Sequence, residues 1–324
     1  MSGKLKRLKQ AAGATFIFSL ESAVMSKNEI NFFRKTNPAG YVFFRRNIET
    51  LRSLKSIVSS LKKLSEFKTV MSIDEEGGRV KRLPQGDYSL PSAAKLSTMD
   101  EQSFEEKVLY LSEVLKNCGI NINFAPVVDL RSGNDNTIVG DRSFSSDPEV
   151  VVEKAKTFIR AARKAGIQSL IKHFPGHGAT TIDSHEELPV IEKSLEVIYS
   201  EDMLPFIKLH KYVDFIMPAH LLCPKVDSLP VSMSRIWNRI LRKDMGFSGI
   251  SISDDIEMGA LDNYSREDKN QLFRDSGYDI MTICSGRREV MESHWEDTLK
   301  FAEKNRDYMI YLENLRKRIS TLFD

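Results

Sequence analysis

The stretch YVFFRRNIETLRSLKSIVSSLKKLSEFKTVMSI, residues 41–73, decides the expected architecture of the chain. It begins and ends with short runs rich in β-branched and aromatic residues, which are typical of buried strands. The apolar residues between these runs recur at the spacing of one helix face: Leu51, Leu54, Ile57, Val58 and Leu61. A strand, a helix and a second strand in this order predict that the two strands pair in parallel.

The same alternation continues along the chain. The predicted strands are TFIF from Thr15, YVFF from Tyr41, TVMSI from Thr69, INFAP from Ile122, SLIK from Ser169, FIMP from Phe215, GISIS from Gly249 and DIMTI from Asp279. Helical stretches such as VVEKAKTFIRAARKAG, SLEVIYSEDMLPFIKLH, SRIWNRILRKDMG and REDKNQLFRDSG lie between them. Repeated strand and helix units predict an α/β protein, a single-domain (β/α)8 TIM-like barrel, and no GxGxxG follows the first strand to favour an open dinucleotide-binding sheet. We expect one domain over residues 1–324, with a solvated basic lead at 1–12 and a C-terminal helix at 303–324.

Composition limits the class of protein. The 324 residues are 41% hydrophobic and 28% charged, which is ordinary for a globular protein with a sizeable core. A net charge of +2 gives no reason to expect nucleic acid or a membrane surface as a partner, and no run approaches the roughly 18 apolar residues of a membrane span. The basic start shows no convincing signal-peptide cleavage pattern. Three widely spaced cysteines without a CxxC pair favour a reducing, cytoplasmic setting, and we expect a monomer or a weak homodimer.

Polar motifs follow the predicted strands with regularity. FFRRN follows the second strand, IDEEGGRVKR the third and APVVDL the fourth, while MPAH ends the sixth strand and SDDIEM the seventh. The fifth strand leads into IKHFPGHGATTIDSHEELPVI, residues 171–191, which holds three of the six histidines. Because catalytic groups of such barrels lie at the C-terminal ends of the strands, this placement predicts an enzyme site there.

The histidine-rich stretch has three possible uses: a metal site, proton transfer, or a polar loop without chemistry. His173, His177 and His185 would be the zinc ligands, but Pro175 and Gly176 break the helix that the spacing of the first two would need. A GxxxxGK[ST] phosphate loop is also absent from the sequence. We therefore expect neither a metal nor a cofactor.

Carboxylates and an imidazole offer a second chemistry. Asp254 and Asp255 end a predicted strand, so at least one carboxylate should project into the barrel mouth. Asp183 precedes His185 by two residues, a spacing that lets the carboxylate fix the ring's tautomer and raise its pKa, so the ring can give and take a proton near neutral pH. A nucleophilic carboxylate and a proton shuttle are what a retaining glycosidase requires.

Other polar residues predicted at the barrel mouth suit sugar hydroxyls, although structural salt bridges are an alternative use for them. They are Asp74, Arg82, Arg142, Lys172 and His173.

Six motifs in order carry a family resemblance over Gly13 to past Gly286: IDEEGGRV, NFAPVVDL, GDRSF, KHFPGHG, DSH and SDDIEM. Together they resemble glycoside hydrolase family 3, and within it the NagZ-type β-N-acetylglucosaminidases. The resemblance implies that Asp254 is the nucleophile of a covalent glycosyl-enzyme. It implies that His185 is the acid/base, oriented by Asp183 on a mobile loop after strand five, with His177 holding the base of that loop. Sugar binding is implied for Asp74, Arg82, Arg142, Lys172 and His173.

What the resemblance implies for activity is a retaining exo-β-N-acetylglucosaminidase without a cofactor. Its substrate would be a small saccharide, a muropeptide fragment of peptidoglycan. A phosphorylase of the same family stays open, because an imidazole base, unlike a carboxylate, does not repel a phosphate acceptor. A β-glucosidase of the same family also stays open. An inactive saccharide-binding barrel and a chelator-sensitive zinc hydrolase are the alternatives from other classes.

Overall fold

A computed structural model describes residues 3–131, 133, 138–180, 184 and 186–323 of the chain. The strands of these ranges are β1 (Phe16–Phe18), β2 (Gly40–Phe43), β3 (Val70–Ile73), β4 (Ile122–Asn123), β5 (Gln168–Phe174), β6 (Phe215–Pro218), β7 (Ile250–Asp255) and β8 (Ile280–Ile283). Each strand pairs in parallel with the next, and β8 pairs with β1 to close the barrel. The closed parallel barrel expected from the sequence is confirmed.

Helices connect the strands and surround the barrel. They are α1 (Gly3–Gly13), α2 (Lys27–Thr36), α3 (Leu51–Leu64), α4 (Ala93–Ser97), α5 (Glu101–Asn117), α6 (Pro148–Lys164), α7 (Leu195–Ser200), α8 (Leu204–Leu209), α9 (Arg235–Arg239), α10 (Arg266–Ser276), α11 (Arg288–Lys304) and α12 (Arg306–Thr321). Among the helices of the described ranges, none combines the length and the apolar character that crossing a membrane would require.

Helix α3 shows how the local sequence sets an element. Thr50 caps its start, because the Thr50 hydroxyl accepts the N–H of Ser53 at 3.0 Å while the Ser53 hydroxyl accepts the N–H of Thr50 at 2.9 Å. The periodic apolar face predicted from the sequence is buried against the barrel; its members are Leu54, Ile57, Val58 and Leu61. Each such side chain contributes roughly 1.5–3 kcal/mol when fully buried, so packing rather than helix propensity stabilises this element.

The interior of the barrel is filled by side chains from alternate strand positions, among them Ile17, Val42, Leu170, Phe215 and Ile250. Helix α12 covers the N-terminal end of this core with Leu315 and Ile319. Polar contacts hold the helix there: the Arg316 guanidinium donates to the carbonyl of Pro38 at 3.0 Å, and Arg318 pairs with Asp279 at 2.9 Å. The opposite, C-terminal end of the barrel is left for a site.

Three segments differ from the sequence prediction. The lead at 1–12 is not merely solvated, because α1 buries Ala11 and Ala12 at its C-terminal end, where Ala11 contacts Ala302 and Leu312. The helix predicted over 194–210 is two short helices, α7 and α8. The helix predicted over 234–246 ends as a π-helical turn at Ile240–Asp244. Hydrophobic periodicity alone does not reveal where neighbouring packing interrupts a helix.

Candidate active site

A cavity of about 400 Å³ opens at the C-terminal ends of the strands. Six residues predicted from the sequence line it together: Asp74, Arg82, Arg142, Lys172, His173 and Asp254. They come from separate parts of the chain, and parallel strands bring them to one end of the barrel because all eight run in the same direction.

Two predicted site residues, Asp183 and His185, lie outside the described residues. Ser184, between them in the chain, is described: it is buried and lines the cavity, and its carbonyl accepts the N–H of Ala260 at 3.1 Å. The start of this segment is also held, since the His177 ring contacts the Thr180 hydroxyl at 2.7 Å.

Strand irregularities coincide with the site. Against β6, strand β5 carries one extra residue between Lys172 and Phe174, and that residue is His173. Against β8, strand β7 carries an extra residue between Ile252 and Asp255, in the step that contains Asp254. A bulge interrupts the regular ladder and redirects side chains. His173 and Asp254 therefore lie where the ladder is interrupted, and their side chains need not follow the regular alternation of the strand.

Asp254 is a cavity carboxylate that stays ionised. One of its oxygens accepts the N–H of Asp255 at 2.8 Å. Burial acts to raise the pKa of Asp254, but the His173 and His220 rings and this N–H outweigh it and lower the pKa to about 2. Such a group is an anion throughout the neutral pH range and is available as a nucleophile.

His220, from the MPAH motif, fixes the backbone beside Asp254. Its Nε2 donates to the carbonyl of Asp255 at 3.0 Å, and its Nδ1 accepts from the Ser232 hydroxyl at 2.6 Å. Burial lowers the pKa of His220, which favours the neutral ring, and in that form this pattern assigns its proton to Nε2. His220 therefore ties the chain after β6 to the end of β7.

Buried ion pairs connect the predicted sugar-binding residues. Lys172 Nζ lies 2.8 Å from Asp74 and 2.6 Å from Glu76, and Arg142 makes two hydrogen bonds to Glu76, each of 2.8 Å. Burial acts to raise the pKa of Glu76, but Arg142 and Lys172 outweigh it and hold the pKa well below its usual range. Cations and anions held at fixed positions supply both donors and acceptors for hydroxyl groups.

Two guanidiniums flank one aromatic ring at the rim. Arg82 lies 5.2 Å and Arg46 4.9 Å from the centre of the Phe44 ring, within cation–π range. Arg82 is also 3.7 Å from Asp74, while Arg46 donates to backbone carbonyls that include that of Leu20 at 3.0 Å. The second strand's FFRRN motif thus forms one wall of the cavity.

Asp129 lies fully buried behind the cavity wall. One of its oxygens lies 2.7 Å from His173 Nδ1, and the other accepts the backbone N–H of His173 at 3.0 Å and that of His177 at 2.8 Å. Burial acts to raise the pKa of Asp129, but these neighbours, His173 first, lower it overall. Asp129 is therefore a carboxylate with three hydrogen-bond donors around it.

Sequence reasoning missed Glu76 and Asp129. Glu76 follows Asp74 by two residues, so strand-like alternation would place both on the cavity side, whereas Glu75 between them accepts the N–H groups of Arg82 and Leu83 instead. Asp129 belongs to the polar motif APVVDL after the fourth strand. Its position in that motif does not reveal which side chain it contacts.

The histidines offer no metal cluster within the described ranges. No group of three or more histidine, cysteine, aspartate and glutamate side chains there is arranged to hold a metal ion. The rings of His173 and His177 meet edge to face with their centres 5.8 Å apart. Their Nδ1 atoms are engaged by Asp129 and Thr180, respectively.

Asp255 gives a pH prediction for stability. Burial raises its pKa to about 7, although N–H groups of Glu257 and Cys284 bond to it. The pKa of Asp255 is higher in the folded than in the unfolded chain. The stability that its protonated carboxyl contributes is therefore fully present below about pH 4 and is lost as pH rises through 7. The free energy of unfolding of the wild type, relative to Asp255→Asn, should fall by on the order of 4 kcal/mol over that window. Urea unfolding at several pH values measures it, and a pH-independent difference would contradict the assignment.

Comparison with known proteins gives the family. Residues 2–322 match the glycosyl hydrolase family 3 N-terminal domain. A β-hexosaminidase of Haemophilus influenzae is 33% identical over 319 residues, 94% of this chain and 89% of that protein. NagZ from Neisseria gonorrhoeae, solved with N-trifluoroacetyl-D-glucosamine, has a TM-score of 0.79 at 27% identity and covers 96% of this chain and 98% of its own.

A longer family 3 β-N-acetylglucosaminidase from Paenibacillus sp. has a TM-score of 0.88 at 27% identity over 96% of this chain, which spans only 62% of that protein. The family match and the identity to the Haemophilus protein cover nearly the whole chain. The chain therefore belongs to glycoside hydrolase family 3 and is a glycoside hydrolase, which confirms the resemblance seen in its motifs.

Proposed function

We propose that the protein is a retaining exo-β-N-acetylglucosaminidase that removes non-reducing terminal N-acetylglucosamine from peptidoglycan (muropeptide) fragments. The observation that carries the proposal is the ionised Asp254 carboxylate in a cavity lined by hydroxyl-binding groups. The names of the relatives from Haemophilus and Neisseria support the sugar. A cavity of about 400 Å³ is at the small end of ligand sites, which suits one terminal sugar rather than a long chain.

In the first step Asp254 attacks the anomeric carbon of the sugar. A bond forms between that carbon and a carboxylate oxygen, and the bond to the leaving oxygen breaks as that oxygen takes a proton. The Asp254 oxygen that accepts the N–H of Asp255 is fixed, which orients the carboxylate. Asp74, Lys172 and their ion-pair partners would meanwhile hold the sugar hydroxyls.

His185, oriented by Asp183, is the proposed source of that proton. In the second step the same imidazole takes a proton from water, which attacks the anomeric carbon and releases Asp254, so the configuration is retained. The support for this part is the DSH motif and the described residue within it, Ser184, which lines the cavity. An imidazole in this role also avoids the repulsion that a second carboxylate beside Asp254 would produce.

A leaving-group series tests the role of His185. His185→Gln should reduce the turnover of glycosides with poor leaving groups by about 10²–10⁴-fold, because these need the proton, but that of activated aryl glycosides much less. His210→Gln is a matched control, since His210 contacts the carbonyl of Ile207 at the end of α8, away from the cavity. An equal loss for both kinds of substrate would argue against an acid role.

One assay decides the proposed activity. The wild-type protein is given an N-acetylglucosaminyl-anhydromuramyl fragment or a β-glucoside, each with and without phosphate, and ¹H NMR follows the first-formed anomer of the released sugar. β-N-acetylglucosamine is expected. An α-anomer would refute retention, a sugar phosphate formed only with added phosphate would indicate a phosphorylase, and turnover of glucosides alone would indicate a β-glucosidase. Absence of any turnover would leave a saccharide-binding barrel.

The setting of the protein is part of the same proposal. Cys118, Cys223 and Cys284 are free thiols, which supports a reducing compartment such as the cytoplasm. One domain acting as a monomer or weak homodimer on a small saccharide, without nucleic acid or membrane partners, completes the proposal. Size-exclusion chromatography with light scattering measures the oligomeric state.

A further inference from the structure

The Asp129 carboxylate is a buried charge that the proposed reaction does not use directly. It is 0% exposed, and its three donors all belong to the segment that starts at His173. A buried carboxylate with a lowered pKa has no proton to donate. The proton in the contact of 2.7 Å with His173 must therefore sit on the ring, at Nδ1.

This assignment fixes the chemistry of the other ring nitrogen. A His173 ring whose single proton is on Nδ1 carries a lone pair on Nε2. The ring lines the cavity beside Lys172, whose ammonium group can only donate. Neighbouring residues of β5 thus offer a donor and an acceptor, which is the combination that a sugar hydroxyl requires.

Asp129 also fixes the backbone on both sides of a turn. The same oxygen accepts the N–H groups of His173 and His177, and the N–H of Gly176 returns to the carbonyl of His173 at 2.8 Å. At Gly178 a side chain would not fit, because a Cβ there would come within 1.7 Å of the carbonyl oxygen of Leu130, next to Asp129 in the chain. The end of β5 and the start of the DSH-bearing segment are therefore tied to one carboxylate.

We infer that Asp129 is a positioning residue for the sugar site: it holds His173 as the Nδ1–H tautomer, with Nε2 as a hydrogen-bond acceptor for a substrate hydroxyl. The inference rests on the proposed function for the identity of that substrate. A purely structural carboxylate would stabilise the turn through the two backbone N–H groups, but it would leave the ring tautomer without consequence for activity. The two roles therefore predict different results for the isosteric variant.

Asp129→Asn is the test. Its carbonyl oxygen can keep both backbone bonds, while its NH₂ group takes the place of the oxygen that faces His173 and moves the ring proton to Nε2. We expect the ¹⁵N NMR signals of His173 to switch from the Nδ1–H to the Nε2–H pattern. The value of kcat/KM for an aryl β-N-acetylglucosaminide should fall by about 10–100-fold, as loss of one well-placed hydrogen bond implies.

Ser143→Ala is the matched control, because the Ser143 hydroxyl donates to the backbone carbonyl of Asp129 at 2.7 Å and leaves its carboxylate untouched. It should change neither the His173 signals nor kcat/KM. His173→Phe identifies the ring signals among those of the six histidines. A switch of the ring signals accompanied by the loss of activity supports the inference. Wild-type kcat/KM in Asp129→Asn, or a loss of activity with the ring signals unchanged, overturns it.

The ring measurement also separates this inference from the proposed function. The tautomer of His173 is read from the wild-type protein without substrate, so it does not depend on the substrate being correct. An Nε2–H pattern in the wild type overturns the inference even if the variant fails to fold and even if the enzyme cleaves N-acetylglucosaminides. If the protein shows Nδ1–H but does not cleave N-acetylglucosaminides, only the proposed function is refuted. Titration calorimetry then tests the inference: Asp129→Asn should bind N-acetylglucosamine about 10-fold or more weakly than the wild type.

Discussion

Asp254→Asn is expected to reduce the turnover of an aryl β-N-acetylglucosaminide by about 10⁴-fold or more, while the melting temperature changes little. The amide can still accept the N–H of Asp255, which bonds to Asp254 at 2.8 Å, so this hydrogen bond is kept. What the amide lacks is the nucleophilic oxygen anion that forms the glycosyl-enzyme. Initial rates with a fluorogenic glycoside measure the effect.

Asp255→Asn is the comparison for this variant, since it makes the same change one residue later. One oxygen of Asp255 accepts the N–H groups of Glu257 and Cys284, so its carboxyl is turned towards the chain after β7 and β8. We expect a loss at least about 100-fold smaller than for Asp254→Asn, because no covalent step depends on it. Equal losses in the two variants, or substantial turnover by Asp254→Asn, would show that the nucleophile is misassigned.

Glu76→Gln is expected to have the largest effect on stability, a loss of about 3–5 kcal/mol in the free energy of unfolding. The side chain of Glu76 is 6% exposed and is shared by Arg142 and Lys172. Neutralising it leaves Arg142 with an uncharged partner and Lys172 with Asp74 alone, so buried positive charge is no longer compensated. The same variant should bind substrate poorly, because both cations line the cavity. Urea unfolding at pH 7 gives the stability.

Glu313→Gln provides the matched control for that experiment. Glu313 also receives a two-pronged contact from an arginine, Arg7, but Arg7 is 70% exposed and the pair lies at the surface. Loss of this solvated pair should cost far less stability than loss of the Glu76 carboxylate. Because the pKa of Glu76 is lower in the folded than in the unfolded chain, its stabilisation is present above about pH 4 and lost below it. A similar cost for the two variants, or a Glu76 effect that persists in acid, would contradict the buried-pair account.

The strands were predictable because local sequence determines them. A run such as FIMP can be recognised without knowledge of its partners, since a strand buried on both faces is apolar over its whole length. The interruption between α7 and α8 was not predictable in the same way. Asp202, between the two helices, pairs at 2.6 Å with Lys193, which precedes α7. Such a contact depends on the tertiary structure and leaves no periodic signal.

The site was predictable by residue type but not by partner. Motif order pointed to Asp74, Lys172 and His173, and the structure places all three in one cavity. The carboxylate partners of Arg142 and His173 were missed. Glu76 is 66 positions from Arg142, and Asp129 is 44 positions from His173. No spacing rule relates residues at such separations; only the closure of the barrel brings them together.

The position of α12 under the barrel has a consequence for how the chain folds during synthesis. Helix α1 is made before the strands of the barrel, yet two of its carbonyls are bonded by residues far along the chain: Trp295 donates to the carbonyl of Lys9, and Arg316 to that of Gln10. Strand β1 likewise acquires one of its two neighbours only when β8 has left the ribosome. Until then the nascent sheet has open edges and an uncovered apolar core, the condition that favours aggregation. The barrel can therefore close only once β8 and α12 have both left the ribosome.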